Sequence, residues 1–234
     1  LDSVYIVSQL SIIAAYVAIY LLGVEILGER KALVSVLLTS AIFYYHWPTP
    51  EFNHNILQIP LWASATLLSW RAVNSSRLIY WFALGVVAGA MVWSKYSSGI
   101  LLLWIFIWLM ACHSGRRSFK SAGPYLCGLV FLLIATPQLL YLLESEFLPF
   151  EYAARRASEG GINDSIKFFL TQIANHLFFI LVLLVGGLVG RGMLVAKSNR
   201  QSDISKFLLL VVVMPLLMVT ILPIVSGKGL KSMW

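Results

Sequence analysis

Apolar residues in this chain come in long runs, and polar residues gather in short clusters between them. A helix needs about 20 apolar residues to cross a hydrocarbon layer ~30 Å thick. Runs of that kind recur from one end of the chain to the other. The pattern predicts roughly eight membrane-spanning helices: Val4–Leu27, Ala32–Tyr45, Ile56–Val73, Leu78–Trp93, Gly99–Ala111, Tyr125–Leu143, Phe168–Val189 and Phe207–Val225. Ala32–Tyr45 and Gly99–Ala111 are short. Each must borrow flanking Trp, Tyr or His, or sit where the bilayer thins. The expected fold is all-α, a polytopic helical bundle forming one transmembrane domain over residues 1–234. Composition agrees: 59% of residues are hydrophobic and 12% charged, with a mean hydropathy of +0.84.

Charge adds the topology. Alternate loops are basic, through Arg30 and Lys31, then Arg71 and Arg77, then Arg116, Arg117 and Lys120, then Arg191, Lys197, Arg200 and Lys206. The positive-inside rule puts these loops in the cytoplasm. The loops His46–Asn55, Lys95–Ser98, Glu144–Lys167 and Ser226–Trp234 then face outward. The net charge of +7 is spread over topology determinants, so no nucleic-acid partner is expected. Cys112 and Cys127 fall near the cytoplasmic face, where thiols stay reduced. The alternation puts Asp2 outside, yet no signal peptide precedes it. The chain is therefore expected to be an excerpt of a longer protein, entered after an odd number of earlier spans and ending abruptly at Met233–Trp234.

Three outward clusters carry candidate chemistry. The loop His46–Asn55 reads HWPTPEFNHN. Pro48 and Pro50 stiffen it, and Glu51, Asn53, His54 and Asn55 make it denser in polar groups than a connecting turn requires. It reads as a surface for sugar hydroxyls or an acceptor, against an ordinary interfacial loop anchored by Trp47 and Phe52. His46, Glu51 and His54 could chelate a divalent metal, but no fixed helical or hairpin spacing supports it, and no cofactor is assigned. Lys95, in WSKYSS, stands at an outward hairpin against the positive-inside bias. Its ammonium could bind a lipid phosphate as a point charge, or simply snorkel to the interface. The third cluster, ESEFLPFEYAARRASEGGINDS, predicts a short interfacial helix over Pro149–Glu159, ended by Gly160 and Gly161. Phe147, Leu148, Phe150 and Tyr152 would rest on the bilayer. Arg155 or Arg156 could grip a phosphate in bidentate fashion, or form only a surface pair with Glu151.

The remaining polar positions read as structural. Gly85 and Gly89 suit close helix packing inside the bundle. Pro137, Pro215 and Pro223 are expected to kink spans. Glu25 is within reach of Arg30 near the cytoplasmic interface. Nucleotide-loop, GxSxG and HExxH motifs are absent from the sequence.

The order PTPEFNHN, WSKYSSGILLL, GPYLCGLVFLLIATPQLLYLLESEFLPFEYAARRA and GLKSMW resembles the bacterial members of glycosyltransferase family 39. That group is related to protein O-mannosyltransferases and to the aminoarabinose transferase of lipid A. The resemblance covers nearly the whole chain. It implies the multi-span GT-C fold in the bacterial cytoplasmic membrane. It also implies transfer of a sugar from a polyprenyl-phosphate carrier to a glycan, lipid or protein acceptor on the outer face. Lys95 matches the family's hairpin lysine, and Arg155 or Arg156 its loop arginine; both types hold the carrier phosphate. Glu51 matches an acidic position that is aspartate in most members, and is the candidate carboxylate in this chain. The principal catalytic carboxylates of the family would precede Leu1, so the chain alone is expected to be inactive. Asn53, His54, Tyr96 and Tyr152 are the candidates for contact with sugar or acceptor. A transporter or lipid flippase is the competing class. It would put ionisable residues deep in several spans, and here the spans are nearly free of charge. A structural subunit would not explain the polar loops.

Overall fold

The computed structural model describes residues 2–45, 52–75, 77–158, 162–185 and 199–226. All regular structure among them is helical. The chain opens with α1 (Asp2–Leu27) and α2 (Glu29–Ser40), followed by a 3-10 turn at Phe43–Tyr45. Next come α3 (His54–Ser75), α4 (Leu78–Ser94), a 3-10 turn at Tyr96–Ser98 and α5 (Gly99–Ala111). Then follow α6 (His113–Ser118), α7 (Gly123–Glu144), α8 (Leu148–Ser158) and α9 (Ile162–Val185). The last stretch is α10 (Asn199–Phe207), a π-helical turn over Leu208–Val213 and α11 (Met214–Ser226).

Three stretches are long and apolar enough to cross a membrane by themselves: Asp2–Leu27, Gly123–Glu144 and Ser202–Val219. Shorter apolar helices stand at Leu78–Ser94, Tyr96–Ala111 and Phe169–Val182. Large apolar side chains are exposed along the bundle, Leu10, Ile79, Leu133 and Phe178 each by more than half. A surface of that kind suits lipid, and water would not favour it. The chain is thus a polytopic helical membrane protein, as its hydropathy pattern predicts.

The second expected span differs. Helix α2 stops at Ser40 and the chain turns at Phe43–Tyr45. Twelve residues at about 1.5 Å each reach ~18 Å, well short of the hydrocarbon core. Ser35, Thr39 and Ser40 bend their hydroxyls back onto the carbonyls of Lys31, Ser35 and Leu37. The apolar count alone does not reveal this interruption. Gly28, at φ 84°, makes the single-residue turn that folds α2 against α1; only glycine takes that conformation without strain. The contact is close, since a Cβ on Gly23 would lie 2.9 Å from that of Ala32.

Helices α1, α3, α4 and α7 pack in succession. The α4–α7 contact depends on the two glycines of the small-residue pattern. A Cβ at Gly85 would lie 2.6 Å from the Cys127 carbonyl oxygen, and one at Gly89 2.6 Å from Ile134. The Trp93 indole N–H adds an interhelical bond of 2.7 Å to the Ile134 carbonyl. Deeper in, Trp70, Trp108 and Phe207 meet with ring centroids 4.8–6.5 Å apart and join α3, α5 and α10 in one core.

The two ends of the bundle differ in charge. At one end Arg71 donates from Nε to Glu25 Oε1 at 2.7 Å and lies over the Tyr80 ring. Glu25 thus pairs across helices with Arg71, where proximity in sequence suggests Arg30. Folding brings α3 within reach and fixes the partner. Arg77 and the Arg116–Lys120 segment occupy helix ends that alternate hairpins bring to this side.

Candidate functional site

The opposite end is built from the start of α3, the α4–α5 turn, the end of α7 and α8. Asn53 caps α3. Its Oδ1 accepts the backbone N–H groups of Asn55 at 2.8 Å and Ile56 at 3.2 Å, two donors that a helix start leaves orphaned. The His54 carbonyl accepts the Ser94 hydroxyl at 3.2 Å, while the His54 side chain is exposed. These bonds fix Asn55 on the inner side of the helix start, where it is 8% exposed.

Lys95 stands opposite. Helix α4 ends because Lys95 is extended, with φ −165° and ψ 129°. Its N–H still closes on the Met91 carbonyl at 2.9 Å. Its carbonyl accepts both the N–H of Ser98 at 3.1 Å and the Ser98 hydroxyl at 2.6 Å, with Ser98 wholly buried. The backbone is therefore held at both faces of the turn, and the side chain is aimed by it. The Lys95 ammonium donates to Asn55 Oδ1 at 2.7 Å. Burial pushes its pKa below the usual 10.5, because desolvation disfavours the charged form. The acceptor is a neutral amide, and it orients the ammonium.

The next residue docks α8. Tyr96 accepts a short hydrogen bond from Gln138 Nε2 of α7, and its ring packs on Phe150 of α8 with centroids 5.4 Å apart. Phe150 also touches Phe147. The turn into α8 is a Schellman closure: Phe147 N–H bonds the Leu142 carbonyl at 3.0 Å and Glu146 N–H the Leu143 carbonyl at 3.2 Å. Glycine usually occupies the left-handed position of that motif. Here Glu146 at φ 50° and Phe147 at φ 61° do, a strained pair for non-glycine residues.

Helix α8 spans Leu148–Ser158, close to the expected interfacial helix. Its Leu148, Pro149, Glu151, Tyr152, Ala154 and Arg155 line an open recess of about 660 Å³. The Arg155 guanidinium lies over the Tyr152 ring, 5.9 Å from its centroid. The long loop expected over Glu144–Lys167 is therefore mostly helix, and α9 begins at Ile162, ahead of the expected start at Phe168.

The structure thus brings Lys95, Tyr96 and α8 together at one end. Asn53 serves as a helix cap, and His54 sits beside it. Tyr96 works through its ring and its acceptor oxygen as a dock for α8. Glu51 and His46 lie outside the described residues, as do Gly160, Gly161 and the side chain of Arg156. No group of three His, Cys, Asp or Glu that could hold a metal occurs among the described residues. Two residues have roles that the sequence did not assign. Asn55 holds the lysine, and Gln138 holds Tyr96. Gln138 could have been noticed as an amide beside a proline in an otherwise apolar run.

The sequence profile described as dolichyl-phosphate-mannose-protein mannosyltransferase matches residues 1–141. The match takes in Asn55, Lys95, Tyr96 and Gln138, and ends before α8. No curated protein and no solved structure matches the chain.

Proposed function

The chain belongs to the dolichyl-phosphate-mannose-protein mannosyltransferase family, a group of GT-C membrane glycosyltransferases, and from that premise we propose that the Lys95 end of the bundle takes a polyprenyl-phosphate sugar and transfers the sugar outside the cytoplasmic membrane. The observation that carries this reading is the Lys95 ammonium, partly desolvated and held at 2.7 Å by a neutral amide. An ammonium placed there can meet a phosphate, and that interaction strengthens as water is excluded. Helix α8, docked through Tyr96 and Phe150, supplies guanidinium groups whose geometry suits phosphate oxygens.

The reaction is a displacement at the anomeric carbon. A carboxylate removes the proton of the acceptor hydroxyl, with Glu51 the candidate in this chain. The hydroxyl oxygen forms the new bond to the anomeric carbon. The bond from that carbon to the carrier phosphate breaks, and the phosphate leaves with the electron pair. Lys95 and Arg155 or Arg156 meet the charge that grows on the leaving group, so they act most strongly in the transition state. The acceptor is a glycan, lipid or protein, and family membership favours the enzyme over a transporter.

The test is sugar transfer from a polyprenyl-phosphate donor by the intact membrane enzyme. Lys95→Ala should lower kcat/KM on the order of a hundredfold. Of Arg155→Ala and Arg156→Ala, one should be severe and the other mild, because neighbours on a helix point about 100° apart. Arg→Lys at the sensitive position should recover only part of the rate if the contact is bidentate. Near-parental turnover by Lys95→Ala and both arginine variants would remove the phosphate clamp.

A further inference from the structure

The basic end of the bundle holds a second recess that the transfer reaction does not use. Its volume is about 660 Å³. One wall is the α5–α7 connection, through His113, Ser114, Arg117, Ser118, Lys120 and Ser121. The other is apolar, with Ala72 and Val73 of α3 and Trp81 of α4. Neighbouring Arg116 is occupied structurally, its Nη1 donating to the Met110 and Ala111 carbonyls at 2.8 and 3.2 Å. Arg117 and Lys120 are exposed, and their charged groups have no ion pair or hydrogen bond among the described residues.

The recess adjoins an apolar groove of about 350 Å³ between α4, α5 and α7. Trp81 lines both spaces. Phe119 lines the groove, while Ser118 and Lys120 on either side of it line the recess. The groove continues along Leu84, Ile105 and Phe131. Gly123 lets the chain pass against Trp81, since a Cβ there would fall 2.3 Å from the indole Cδ1. One short segment therefore places two unengaged cations beside the mouth of an apolar channel in a membrane protein.

We propose that recess and groove together hold one anionic phospholipid, with its phosphate between Arg117 and Lys120 and its acyl chain along the groove. Guanidinium and ammonium groups both bind phosphate, the first in bidentate fashion. A free phosphate would use the cations but leave the groove without a role. A zwitterionic lipid would fill the groove but bring a positive group to a positive wall.

The experiment titrates the purified chain in detergent with brominated phosphatidylglycerol and follows quenching of tryptophan fluorescence. Brominated phosphatidylcholine and inorganic phosphate are the comparison probes. Each cation near an anionic headgroup contributes about fivefold, so Arg117→Gln with Lys120→Gln should weaken phosphatidylglycerol about 25-fold. The same charge removed elsewhere, by Arg30→Gln with Lys31→Gln, should change it less than about twofold, as expected for sites without direct contact. Gly128 lines the groove, and a Cβ there would meet nothing within 4 Å. Gly128→Leu should therefore fill the groove and weaken binding with the charge intact, which keeps the test decisive if the double glutamine variant misfolds. Equal weakening by the two charge-removing pairs would overturn the proposal in favour of a diffuse field. Displacement of phosphatidylglycerol by millimolar inorganic phosphate, or full affinity in Gly128→Leu, would reduce the site to a phosphate site and overturn the lipid.

Discussion

Asn55 offers the Lys95 ammonium a neutral acceptor rather than a charged one. A carboxylate in place of Asn55 would hold the ammonium more tightly but neutralise its field. The amide at 2.7 Å orients the ammonium without adding a charge of its own. Burial lowers the lysine pKa from 10.5, so its charged form is disfavoured by the fold. The sign follows directly. The cost of keeping Lys95 charged is present in full below its folded pKa, and is relieved as pH rises from that value towards 10.5. Activity that needs the cation runs the other way and falls as pH rises through the lowered pKa. The pH profile of transfer should therefore have an alkaline limb below 10.5. Asn55→Ala removes the acceptor and should move the limb further down. Asn55→Asp adds an opposite charge and should move it up, while weakening phosphate binding. A limb that stays fixed in both variants would assign the titration to another group.

The elements around this pair were legible in the sequence to different degrees. The glycine pair in α4 predicts close packing, and the structure places it against Cys127 and Ile134 of α7. Gly89→Leu should consequently destabilise the bundle by about 1–3 kcal/mol through overpacking. Chemical denaturation in detergent, followed by the tryptophan signal, measures it; an unchanged midpoint would mean that α4 and α7 do not meet there. Helix α8 is legible in its aromatic and arginine pattern. Its docking is not, because the Tyr96–Phe150 contact joins residues whose separation no local pattern encodes. Asn55 has the same lesson. It is one polar residue among several in HWPTPEFNHN, and only the geometry of α3 and the α4–α5 turn singles it out. Apolar counting carries the second span past the end of α2, because it gives no weight to Ser35, Thr39 and Ser40, whose hydroxyls bond the helix's own backbone and which precede a turn.

At the scale of the molecule, the two ends of the bundle are chemically unlike, and that contrast predicts sidedness. Contacts between helices gather Arg71, Arg77, Arg117 and Lys120 at one end, and Lys95, Tyr96 and α8 at the other. The positive-inside rule predicts the first end to be cytoplasmic. The carrier lipid, by the proposed reading, meets the second end outside. A cysteine reporter needs an exposed position, which excludes Ser98, 0% exposed. Ala154 in α8 and Ser121 before α7 are both exposed, while native Cys112 is buried. In intact cells, Ala154→Cys should react with a membrane-impermeant thiol reagent and Ser121→Cys should not. Both should react once the membrane is permeabilised, which shows that silence at Ser121 reflects location rather than shielding. Native Cys127, half-buried in α7, is controlled by the parent chain. Labelling of position 121 from outside would invert the bundle. Lys95 would then face the cytoplasm, and the Arg117–Lys120 recess would take the outer leaflet. The polyprenyl-phosphate assignment at Lys95 would then fall, because the carrier is met outside by the proposed reading, whereas the anionic-lipid recess, argued from its charge and groove, would only change leaflet.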